Sequence, residues 1–182
     1  MTRPVLRTER LELRPMTLEH LPHLVELDSD PEVLRHVLGR ARTAEEVHEF
    51  WGPRCADTAA DAQGLGFWAG HVDGEFVGWW DLEPSGEGRA EAGWRLRRDR
   101  WRQGLASEGA VALLDHAFGA AGLHTVWAET LTTNLGSRGV MARLGMRHVR
   151  TAHPDWTRSL PDAAEGAVVH EITVEEWRAR RG

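Results

Sequence analysis

The stretch WRQGLASEG at residues 101–109 has the residue types and spacing to hold phosphate. Arg100 and Arg102 flank its tryptophan and Gly104 supplies a turn. Ala106, Ser107 and Glu108 then open a run in which Ala110, Val111, Leu114, Ala117 and Phe118 recur at helical spacing. The first four N–H groups of a helix have no intrahelical acceptor and lie at the positive end of its dipole, so a pyrophosphate binds there without a dedicated lysine. Gly-x-Ala is equally a packing turn between strand and helix, and the stretch alone leaves both readings open. Other chemistries are less well supplied. His20 and His23 stand at i, i+3 spacing with no third ligand, so no metal site is expected. Cys55 is the only cysteine, has no activating neighbour, and cannot form an intrachain disulfide. Lysine and tyrosine are absent, which removes both from the catalytic candidates, and Asn134 is the only asparagine.

Positioning that turn requires a strand before it and a helix after it. Residues 89–97, RAEAGWRLR, read as the strand, reached through a glycine-rich turn at 85–88. Upstream, Asp73-Gly74 between FWAGHV and EFVGWWDL predicts a β-hairpin. Residues 8–16 alternate Leu11 and Leu13 with Glu12 and Arg14 as a half-buried strand does, ending at Pro15. Between these strands, Thr17 with His20 predicts the cap of a helix carrying Leu21, Leu24, Val25 and Leu27; residues 31–38 read as a short helix. Thr43 with Glu46 is a capping box opening a helix that Pro53 kinks or interrupts. After the phosphate turn the helix is expected to end near Gly122, followed by a strand at 123–131. A right-handed crossover makes that strand parallel to the one before the turn. Asn134 or Thr133 then caps a helix through Val140, Met141 and Leu144 that stops at Gly145. Residues 146–151 and 168–174 are strand candidates, and the polar segment 153–166 between them is a loop expected to fold over a site.

With 182 residues, 41% of them hydrophobic, the chain fits one globular domain, residues 1–182. A net charge of −6 argues against a nucleic-acid partner and suits a protein that receives cations. No apolar signal core and no membrane-length apolar run are present, so no membrane partner and a cytoplasmic location are expected.

The order of elements resembles the GNAT superfamily of N-acetyltransferases nearly end to end. The likeness is greatest to its RimJ/RimL branch, which acetylates protein N-termini and, in many relatives, other amines. TERLELRP (8–15), AEAGWRL (90–96), WRQGLASEG and NLGSRGVMARLGM (134–146) carry the resemblance, in the branch's order. It implies an α/β (α+β) fold: a central mixed, mostly antiparallel sheet of about seven strands flanked by helices, splayed between the fourth and fifth strands. It also implies acetyl-CoA as cosubstrate. The pyrophosphate would lie on the backbone of Arg102, Gln103, Gly104, Leu105, Ala106 and Ser107, behind Trp101, which replaces the Gln or Arg usual at that motif position. Backbone N–H groups around Trp94, Arg95 and Leu96 would polarise the acetyl carbonyl. Asn134 would contact the pantetheine arm and Ser137 the thioester sulfur, although Asn134 also reads as an N-cap and Ser137 as a small packing residue.

Moving acetyl from a thioester to an amine requires a neutral amine, because an ammonium has no lone pair. Glu91 matches the family's acidic position on the strand feeding the turn and is the first candidate base; Asp81 is the second. Many members of the superfamily protonate the departing thiolate with tyrosine, which this chain lacks. Ser137 is the remaining hydroxyl, and a thiol pKa near ~8.5 makes that proton less critical. Trp68, Trp79, Trp80, Trp94 and Trp156 are candidates for an aromatic wall around a cationic amine. The acceptor is a protein N-terminus or a small-molecule amine, and a homodimer is compatible with the branch. The alternative reading is a non-catalytic acyl-CoA-binding sensor or interaction module.

Overall fold

The computed structural model describes residues 3–182. Among these residues eight strands form one sheet in the order β1-β2-β3-β4-β5-β6-β8-β7: β1 (Leu6–Arg7), β2 (Glu12–Pro15), β3 (Gly66–Val72), β4 (Glu75–Pro84), β5 (Arg89–Leu96), β6 (Thr125–Leu131), β7 (Arg147–Ala152) and β8 (Ala167–Thr173). The helices are α1 (Leu21–Asp28), α2 (Ala44–Ala56), α3 (Leu105–Phe118), α4 (Leu135–Leu144) and α5 (Val174–Arg181). Every adjacent pair is antiparallel except β5 with β6, as the crossover through α3 requires.

The strand count is eight rather than seven because β1 pairs with β2 over Leu6↔Leu13 and Arg7↔Glu12. Two residues are too few to show an alternating pattern. The turn between β3 and β4 places both Asp73 (φ 51) and Gly74 (φ 83) in the left-handed region, as the right-handed twist of a two-residue hairpin demands. Residues 31–38 are successive turns rather than a helix, with bonds from Val33 N–H to the Asp30 carbonyl (3.1 Å) and from Val37 N–H to the Leu34 carbonyl (3.0 Å). Their backbone bonds mix spans of three, four and five residues, with the Leu34 carbonyl accepting from Val37, Leu38 and Gly39, so no continuous helical ladder forms. By contrast α2 continues through Pro53 to Ala56. The helix α3 stops at Phe118, short of Gly122. The last helix, α5, opens on a capping box: Thr173 Oγ1 accepts from Glu176 N–H (3.3 Å) and Glu176 Oε2 from Thr173 N–H (2.8 Å).

The sheet buries both faces. Trp51, Met16, Phe76 and Trp79 pack on one face beneath α1 and α2; Trp68, Trp80, Leu113, Leu114, Val126 and Met141 fill the other, with α3 and α4. Cross-strand register puts Trp68, Trp80 and Trp94 side by side on the α3 face. Trp80 lies between two glycines: a methyl group on Gly70 would stand 2.2 Å from its ring, and one on Gly109 2.4 Å. Its indole N–H donates to the Ala106 carbonyl at 3.1 Å, so Trp80 locks the first turn of α3 onto the sheet. Gly109→Ala should therefore lower stability by about 1–3 kcal/mol through overpacking, although alanine favours a helix. A denaturant titration checks it, and an unchanged or raised midpoint would show that the ring moves freely.

Candidate active site

The turn entering α3 is built from two residues with left-handed backbone, Arg102 (φ 57) and Gly104 (φ 82). Trp101 swings its indole N–H back onto the Leu96 carbonyl (2.9 Å), and Gln103 Nε2 donates to the Asp99 carbonyl (2.9 Å). The first helical bond is from Glu108 N–H to the Gly104 carbonyl (3.0 Å). The N–H groups of Leu105, Ala106 and Ser107 are thus left without an intrahelical acceptor at the positive end of α3. Ser107 Oγ is buried and has no hydrogen-bond partner among the described residues. That orphaned hydroxyl beside free N–H groups fits an anionic ligand such as a diphosphate.

The parallel pairing of β5 with β6 covers only Arg89↔Thr125, Ala90↔Val126 and Glu91↔Trp127. Beyond Glu91 the two strands part, so the edge of β5 from Ala92 to Leu96 opens a wedge whose floor leads to the α3 turn. This is the splay expected from the sequence. Its far side is formed by β6 and the start of α4. Asn134 caps α4: its Oδ1 accepts from Ser137 N–H (3.2 Å) and its Nδ2 donates to Thr130 Oγ1 (2.9 Å). Both ends of the Asn134 amide are thereby engaged in shaping the helix start, with Ser137 in its first turn. Among the neighbouring strand residues, Arg95 does not turn its side chain to the wedge. It is largely buried under α1, where its Nη1 donates to Asp28 Oδ1 (2.9 Å), and its backbone faces β4, with its carbonyl against Gly78, so the structure does not bring Arg95 to the wedge.

On the α1–α2 face at the mouth of the wedge, carboxylates from three strands converge. Glu83 lies directly opposite Glu91, Asp81 opposite Gly93, and Glu129 two residues beyond Trp127 on β6. Gly93 leaves room for Asp81, since a methyl group there would stand 2.3 Å from Asp81 Oδ1. Burial raises the Glu91 pKa to about 7, reinforced by Glu129 and Glu83. Burial, then Glu83 and Glu91, hold Asp81 well above the ordinary carboxylate range and favour its neutral acid. A carboxylate poised near neutrality can accept a proton from a bound ammonium.

Of the tryptophans considered for an aromatic wall, Trp68 and Trp80 belong to the core on the opposite face and Trp94 leans on that same core. Trp79 is on the acidic face, next to Arg95. Trp156, from the segment 153–166, donates its indole N–H to Glu129 Oε2 (3.0 Å), so this loop does reach over the mouth. Arg35 pairs with Asp162 at 3.0 Å and ties the loop to the turns after α1. Sequence reasoning missed Glu83, Glu129 and Trp127. The alternation of WAETL in β6 holds the signal for the last two, but reading it requires the β5–β6 register. His20 caps a turn through Thr17 N–H (3.1 Å) and His23 stacks on Phe76. Burial pushes the Cys55 thiol up to about 11, leaving it protonated.

Comparison with known proteins agrees with this architecture. Residues 10–147 match the Acetyltransferase (GNAT) domain. The chain is 41% identical over 186 residues to the FsC-acetyl coenzyme A-N(2)-transacetylase of Aspergillus fumigatus, covering 96% of this chain and 78% of the relative. A GNAT-family acetyltransferase from Bacillus anthracis superposes with a TM-score of 0.78 at 23% identity, covering 95% of this chain and all of its own. RimL, a ribosomal alpha-N-protein acetyltransferase solved with coenzyme A, superposes at 0.79 with 17% identity, covering 97% and 99%. The domain match and the similarity to the Aspergillus transacetylase make the chain a member of the GNAT family and an N-acetyltransferase.

Proposed function

We propose that the chain transfers acetyl from acetyl-CoA to a primary amine by direct attack within a ternary complex, with Glu91 as the base. The observation that carries this reading is the place of Glu91: at the last β5–β6 pair, where the wedge opens, with its pKa raised to about 7. The diphosphate is held by the N–H groups of Leu105, Ala106 and Ser107 and by Ser107 Oγ, on a turn shaped by Trp101, Arg102, Gln103 and Gly104. Acetyl-CoA supplies an activated acyl group on a thiol that leaves readily. Backbone N–H groups of Trp94 and Leu96, which face the edge of β5 away from β4, polarise its carbonyl. Asn134 fixes the start of α4 against the pantetheine arm, and Ser137 offers a hydrogen bond to the sulfur.

The acceptor enters over the acidic face as an ammonium, attracted by Glu83, Glu91 and Glu129, and yields its proton to Glu91. Asp81, held neutral, acts as a hydrogen-bond donor rather than as the primary base. The Aspergillus relative is named for a numbered nitrogen, N(2), of its acceptor. That supports a small-molecule amine over a protein N-terminus. Mixing the chain with acetyl-CoA and a panel of small primary amines and N-terminal peptides tests both points. Amine-dependent release of free thiol, with an acetylated small amine found by mass spectrometry, is expected. CoA binding without amine-dependent release would instead mark a non-catalytic sensor.

A further inference from the structure

We propose that Arg10, clamped by Glu108, is a positioning residue that preforms the CoA turn; this rests on the placement of acetyl-CoA proposed above. Arg10 sits in the connection between β1 and β2, far in sequence from the turn, yet its guanidinium lies directly behind it. Arg10 Nη1 donates to the Gln103 carbonyl at 3.0 Å. A methyl group built on Gly104 would meet Arg10 Nη2 at 3.5 Å. The opposite side of the guanidinium is fixed by Glu108, in the first turn of α3: Arg10 Nε reaches Glu108 Oε2 at 2.7 Å and Nη2 the same oxygen at 2.5 Å. The other oxygen, Oε1, accepts from Arg10 N–H (2.9 Å) and from the Thr8 hydroxyl (2.5 Å).

This arrangement answers a local problem. Arg102 is a non-glycine residue in the left-handed region and Gly104 follows it there, a backbone course that persists only when its surroundings impose it. Gln103 lies between them, and its carbonyl is the group that Arg10 grips. That carbonyl shares a rigid peptide plane with the Gly104 N–H, so holding it backward turns the Gly104 N–H to the opposite side and fixes the plane from which α3 and the free N–H groups of Leu105 to Ser107 continue. The clamp needs a planar fork that bonds the carbonyl with one nitrogen and the carboxylate with the others. A lysine ammonium, a single point charge on a flexible stem, cannot span both. Arg10 is thus set apart from a residue that merely adds positive charge, because Glu108 already compensates that charge.

Calorimetric titration of CoA into the full chain tests this without turnover. Arg10→Ala, Arg10→Lys and Glu108→Gln are each expected to weaken CoA binding by about tenfold, the effect of losing one charge-assisted hydrogen bond. At saturating acetyl-CoA, kcat and the KM for the amine should stay within about twofold of wild type. Arg181→Ala, which breaks a pair with Asp115 at the other end of α3, should leave CoA affinity unchanged and serves as the matched control. Three results would overturn the proposal: wild-type affinity in Arg10→Ala; restored affinity in Arg10→Lys, meaning that charge alone suffices; or an equal loss in Arg181→Ala, meaning that general loosening of α3 is responsible. Wild-type CoA binding without amine-dependent thiol release would sink the proposed function and leave this test intact.

Discussion

Replacing Glu91 with glutamine is expected to lower turnover by roughly 10²–10⁴-fold, the range for a well-placed general base, while the affinity for acetyl-CoA stays near that of wild type. The separation follows from the geometry. Glu91 stands at the last β5–β6 pair, whereas the N–H groups proposed to hold the diphosphate lie at the start of α3. The substitution removes the proton acceptor and keeps the volume. Steady-state kinetics on both substrates checks it. Near wild-type turnover in Glu91→Gln would move the base role to Asp81 or to water.

The largest effect on stability is expected at Asp28. Its carboxylate is fully buried and accepts from Arg42 Nη1 (2.7 Å), Arg95 Nη1 (2.9 Å) and Trp51 Nε1 (3.0 Å). These bonds tie α1 to β5, to α2 and to the chain leading into α2, and so fix the helical layer over the acidic face. Replacing both partners of such a pair can be neutral, but removing one leaves a buried charge uncompensated. Asp28→Ala strands two largely buried guanidinium groups and an indole N–H, and should cost about 3–5 kcal/mol of unfolding free energy. Chemical denaturation followed by tryptophan fluorescence reads this directly, and a loss below about 1 kcal/mol would mean that water or another carboxylate replaces Asp28.

Much of this fold was legible in the sequence because its signals are local. Asp73-Gly74, the Thr43 to Glu46 capping box, Gly104 and Gly145 each act within a few residues, and each marks the boundary it implies. The capping box at Thr173 and Glu176 is as local a signal, and the strand pattern of residues 168–174 runs into it, which masks the start of α5. The errors have physical causes. Residues 31–38 have helical apolar spacing, but their bonds gather on the Leu34 carbonyl instead of running as a ladder, and β1 is too short to carry a period. The site was legible only in part. Motif positions 101–109 and Glu91 stand out along the chain, but the acidic face is assembled across β4, β5 and β6, so Glu83 and Glu129 gain meaning only from strand register. Likewise, nothing along the chain tells that Arg95 turns its side chain onto Asp28 and its backbone toward β4.

The role of Glu91 is tested most directly by the pH dependence of kcat/KM for the amine, in wild type and in Glu91→Gln. A base with its pKa raised to about 7 is protonated and inactive at lower pH. The wild-type profile should therefore rise tenfold per pH unit up to about 7, and then level until the ammonium itself titrates near ~10. In Glu91→Gln the break near 7 should vanish, with the rate following the fraction of free amine toward ~10. A wild-type profile without that break, or a break that survives in Glu91→Gln, would contradict the assignment of Glu91 as the base.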